Sequence, residues 1–73
     1  MTQERWNSFK KREQLLFIGS EFERARVWQA EDKENFMRAL EQALVLIDLT
    51  LTDPKWGKET LQLLTLRAEV AQF

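Results

Sequence analysis

Apolar side chains recur at steps of three and four along most of this 73-residue chain, the spacing that gathers them on one face of an α-helix. Met37, Leu40, Leu44, Ile47 and Leu51 form one such stripe, widened by Phe36 and Ala43. A second runs through Trp56, Leu63 and Val70 and through Leu61, Leu64, Ala68 and Ala71, with Lys58, Gln62, Thr65, Glu69 and Gln72 opposite. Two breaks divide the pattern. Asp53–Pro54 offers an N-cap followed by proline at the first helical position, where a missing N–H costs nothing. Asp32 is placed to cap a helix beginning at Lys33, with Glu34 in the favourable first turn. The spacing therefore predicts helices over 2–30, 33–51 and 54–72. That is a single all-α domain, an antiparallel three-helix bundle running up-down-up.

The first segment departs from a single stripe. On a helical wheel, Trp6, Phe9, Leu16, Phe17, Val27 and Trp28 cluster on one side, and Leu15, Ile18, Phe22 and Ala25 on another. Around Leu15–Ile18 the helix is apolar all round, whereas an edge helix of a small bundle needs one stripe only. A bend near Gly19 would let two short helices use one face each. A mid-helix glycine costs only about 1 kcal/mol relative to alanine, so the sequence favours a long first helix. At about 1.5 Å per residue it would extend about 42 Å against about 28 Å for its partners. The overhang would expose apolar surface, and a second molecule is expected to cover it.

Composition supports that expectation. Eleven Leu, five Phe, three Val, three Trp, two Ile and two Met are a large apolar load for 73 residues. Without cysteine, no disulfide reinforces the core. The residues expected at a contact surface are Trp6, Phe9, Leu15, Phe17 and Ile18, together with Val45 and Leu49, which lie off the main stripe of the middle helix. Charged residues on apolar faces suggest a second device. Glu13, Asp48 and Arg67 each interrupt such a face, and a Glu13–Arg67 or Asp48–Arg67 pair would fix helix register or partner choice.

The same composition narrows the chemistry. Absence of His and Cys removes the usual zinc ligands, a histidine acid–base pair and a thiol nucleophile. Gly19 and Gly57 stand too far apart for a phosphate-cradling loop. The longest apolar run, Ala43–Ile47, falls well short of the roughly 20 residues that span a bilayer. With no charged-then-apolar leader, a cytoplasmic address is expected. Residues 1–26 carry a local charge of +2 and residues 27–53 a local −4, as for helices that attract each other across a bundle. The basic run Lys10-Lys11-Arg12, with Arg5, reads as a solvated face because its members point in different directions. The expectation is a non-catalytic interaction module with no cofactor, metal, membrane or small-molecule substrate, binding itself as a homodimer or a helical partner. The alternative is a small nucleic-acid-binding regulator, with Lys55 and Lys58 at the start of the last helix meeting the bases or backbone.

Overall fold

The computed structural model describes residues 1–72. Among them there is no strand. The order is α1 (Gln3–Asn7), α2 (Lys11–Trp28), α3 (Lys33–Thr52), a 3₁₀ segment (Pro54–Glu59) and α4 (Thr60–Ala71). The most extensive packing is of α2 on α3, followed by α4 on α3. Four residues connect α2 to α3, a link short enough to fold the two helices back on each other.

Both expected caps operate. The Asp32 carboxylate accepts the Asn35 N–H at 3.2 Å, and Asp53 accepts the Lys55 N–H at 3.1 Å. The segment after Asp53 differs from the continuous helix expected over 54–72. It winds first as 3₁₀ and becomes α-helical at Thr60.

The long first helix is not formed, and the chain does not break at Gly19, which lies inside α2. It leaves the helix at residues 8–10 instead. Asn7 and Ser8 are weak helix formers whose side chains compete for local backbone groups. The Ser8 hydroxyl donates to the Arg5 carbonyl at 2.6 Å. Helix α2 then restarts with the Glu13 carboxylate accepting the Lys10 N–H at 2.9 Å, the reciprocal half of a capping box. The longest dimension of the molecule, 37 Å, is less than the roughly 42 Å an unbroken 28-residue helix would need.

The break returns Trp6 to its own chain. Trp6, Ile18, Ala25, Ala39, Leu40, Leu46, Ile47 and Val70 form one buried cluster, with Phe9, Phe22, Phe36, Leu44, Leu49, Leu51 and Leu66 partly buried around it. Burying a large apolar side chain contributes about 1.5–3 kcal/mol or more, against about 0.5–1.5 kcal/mol net for each helical hydrogen bond given up at the break. Two polar links hold α1 against the end of α3. Trp6 Nε1 donates to Thr50 Oγ1 at 3.1 Å, and Gln3 Nε2 donates to the Leu49 carbonyl at 2.8 Å.

Gln14 joins the elements beneath this contact. Fully buried, it donates through Nε2 to the Trp6 carbonyl at 2.8 Å and to the Asp53 carboxylate at 2.9 Å. Its Oε1 accepts the Trp56 indole N–H. One carboxamide thus links α1, α2, the end of α3 and the 3₁₀ segment. Gln14→Leu removes it while leaving the Trp56 N–H and one carboxylate contact buried without that partner. A loss of about 2–4 kcal/mol is expected, measured by urea denaturation. Gly19→Ala should act oppositely. It is helical, and a Cβ there meets nothing within 4 Å, so a gain of about 0.5–1 kcal/mol is expected from the same measurement.

Candidate functional site

Of the residues expected to meet a partner, Trp6 and Ile18 are buried inside the single chain. Both are taken up by the chain's own core cluster and present almost no surface to a partner. Phe9 and Leu49 are half-buried against the core. Leu15, Phe17 and Val45 are exposed.

Phe17 belongs to an aromatic group at the α1–α2 corner. Its ring lies 6.0 Å from that of Trp6 and 5.1 Å from that of Phe9, and Trp6 meets Phe9 edge-on at 6.2 Å. These tilted and edge-on contacts suit the ring quadrupoles. Leu16, 63% exposed, sits beside this group. Leu16, Phe17, Glu13 and Ser20 line a shallow depression of about 270 Å³.

A second apolar surface lies on α4. Leu63 and Val70 are buried and Leu66 is half-buried against the core, but Leu61 and Leu64 are 75% and 49% exposed. Ala68 and Ala71 are exposed on the same helix. The apolar pattern expected for this segment is thus divided: Trp56, Leu63 and Val70 are buried, and Leu61, Leu64, Ala68 and Ala71 are left exposed.

Among the three charged residues on apolar faces, Asp48 and Arg67 are brought together. Arg67 Nε lies 2.6 Å from Asp48 Oδ1, and Nη2 reaches Oδ2 at 3.5 Å. Both side chains are nearly half exposed, so the pair orients α4 on α3 while contributing little net stability. Glu13 is not part of this pair; its carboxylate is at the start of α2.

The lysines expected to meet nucleic acid differ in their surroundings. Lys58 is exposed. Lys55 is half-buried, donating through Nζ to the Asn7 carbonyl at 2.9 Å and bridging to the Asp53 carboxylate. Lys11 is held against Glu59 at 3.2 Å and over the Trp56 ring at 5.2 Å. Lys55 and Lys11 thus tie α1, α2 and the 3₁₀ segment together.

Polar residues that the periodicity did not single out occupy the same end. Gln14, Thr50 and Asp53 are buried. Asp53 is marked as a cap; for the other two the one sequence signal is position, since Gln14 lies one turn before Ile18 and Thr50 one turn after Ile47. Burial pushes the Asp53 carboxyl upward, but the hydrogen bonds from the Lys55 side chain, Gln14 and the Lys55 N–H, with the Lys55 charge, outweigh it and leave the pKa below the ordinary value. Among the described residues, no three acidic, histidine or cysteine side chains gather to hold a metal ion. None of the helices described is long and apolar enough to cross a membrane. No protein-family model, curated protein or solved structure matches the chain.

The lowered Asp53 pKa has a signed consequence. A carboxyl more acidic when folded than when unfolded stabilises the fold above the unfolded value of about 3.9, and that contribution is lost as pH falls through the folded value. The urea midpoint should therefore drop below about pH 4. Asp53→Asn should be less stable near neutrality and lose less on acidification; an identical acid loss in both proteins contradicts this role.

Proposed function

We propose that this chain is a non-catalytic, cytoplasmic helical module whose activity is association, through apolar helix faces, with a second copy of itself or with a helical partner. The framework is an up-down-up arrangement of α2, α3 and α4, with α1 folded over one end. One observation carries the reading: a filled core coexists with large apolar side chains left in water. Leu15, Leu16, Phe17, Val45, Leu61 and Leu64 are all exposed, although Trp6, Ile18, Ile47 and Leu63 already form a closed interior.

The surface area supports the same conclusion. The chain exposes 5308 Å², whereas a compact monomer of 8.7 kDa is expected to expose about 4,700 Å². The excess, about 600 Å², is a large part of the roughly 800 Å² that each partner contributes to a standard interface. Large apolar side chains left outside a filled core mark interaction sites. Light scattering at micromolar concentration tests the proposal. The expected mass is twice the 8.7 kDa of one chain, or a larger multiple. A single-chain mass across the micromolar range removes self-association.

A further inference from the structure

We infer that the outer face of α4 is the contact surface, and that it pairs with α4 of a second copy in antiparallel orientation about a two-fold axis at position 66. This rests on the reading that the protein self-associates, and adds the face, the orientation and the register.

The first argument is spacing. Leu61, Leu64, Ala68 and Ala71 follow one another by three, four and three residues, the repeat of a seam between two helices. All four are exposed, while Leu63 and Val70 on the inner face are buried. Helix α4 therefore carries two apolar faces, and the fold uses one.

Side-chain size then sets the orientation. The stripe reads large, large, small, small. A parallel pairing would stack leucine on leucine at one end and alanine on alanine at the other, so the helix axes would splay. An antiparallel pairing sets Leu61 opposite Ala71 of the second copy and Leu64 opposite Ala68. Both layers are centred on position 66, and each contains one large and one small residue. Constant layer volume lets two helices interdigitate at an even separation. Such a contact is isologous and closes as a dimer rather than growing into a filament.

Charge permits the approach. Thr60, Thr65 and Gln72 beside the stripe are uncharged. Arg67 is neutralised by Asp48 of its own chain, so the face presents no net charge to a copy of itself. Helix α4 alone, about 18 Å long, is narrower than a standard interface. Exposed Val45, one turn before Asp48 on α3, extends the face on the side where Arg67 is anchored. The α2 patch lacks this self-complementarity: Phe17 is already committed to Trp6 and Phe9, and Glu13 and Ser20 interrupt the surface beside Leu16.

Cysteine pairing tests the register, since the chain has none of its own. Facing positions lie within the Cα separation a disulfide tolerates, and positions a turn out of register do not. Under mild oxidation, a mixture of Leu64→Cys and Ala68→Cys proteins should form the mixed disulfide, and neither should cross-link efficiently alone. Efficient cross-linking of Ala68→Cys with itself would overturn the antiparallel orientation. Ala68→Glu should weaken the dimer at least tenfold by sedimentation with helical circular dichroism unchanged, and Leu16→Glu should leave it intact. A dimer that survives Ala68→Glu and dissociates with Leu16→Glu would reject the α4 face while leaving self-association standing. A monomeric unsubstituted chain would reject both.

Discussion

The fold depends on a single buried carboxamide. Gln14 receives the Trp56 indole and gives its two N–H groups to the Trp6 carbonyl and the Asp53 carboxylate. Each partner belongs to a different part of the chain. Without Gln14 the Trp56 indole N–H loses its acceptor, while the Trp6 carbonyl keeps the Phe9 N–H and the Asp53 carboxylate keeps Lys55. Such networks specify one arrangement because a shifted helix breaks several bonds together. Here the network fixes how α1 closes over the bundle and where the 3₁₀ segment begins. Trp6 bonds in turn to Thr50, whose hydroxyl donates to the Leu46 carbonyl at 2.7 Å.

Closing that end has a consequence for the rest of the surface. With Trp6 returned to the interior, the core is complete without Leu16, Leu61 or Leu64. The apolar side chains left outside are not needed to fill it, and α4 in particular keeps Leu61 and Leu64 exposed. Interior packing and the exposed apolar face are therefore borne by different residues, so substitutions on the outer face of α4 should have little effect on the fold.

Much of this architecture was legible in the sequence. Three-and-four spacing located α3 and the apolar faces of α4, because burial against a neighbour imposes that period. Asp32 and Asp53 marked the breaks because their carboxylates satisfy backbone N–H groups that a helix start leaves free. The turn at residues 8–10 was not legible: Lys10 is no conventional cap, and Ser8 acts through a backbone contact that spacing does not encode. Nor were the burial of Gln14 and Thr50, since periodicity counts polar residues as outward-facing and cannot see a partner from another helix. The Asp48–Arg67 contact was among the pairings that wheel position allowed; choosing it over Glu13–Arg67 required the register of α4 on α3.

On the reading proposed above, the folded chain retains apolar surface which a second copy of itself covers. The most direct test is the thermal midpoint as a function of protein concentration, because association that favours the folded state raises the midpoint by mass action. The account predicts a midpoint that climbs steadily from nanomolar to high micromolar chain concentration. A midpoint that stays constant over that range, with reversible unfolding throughout, would contradict it.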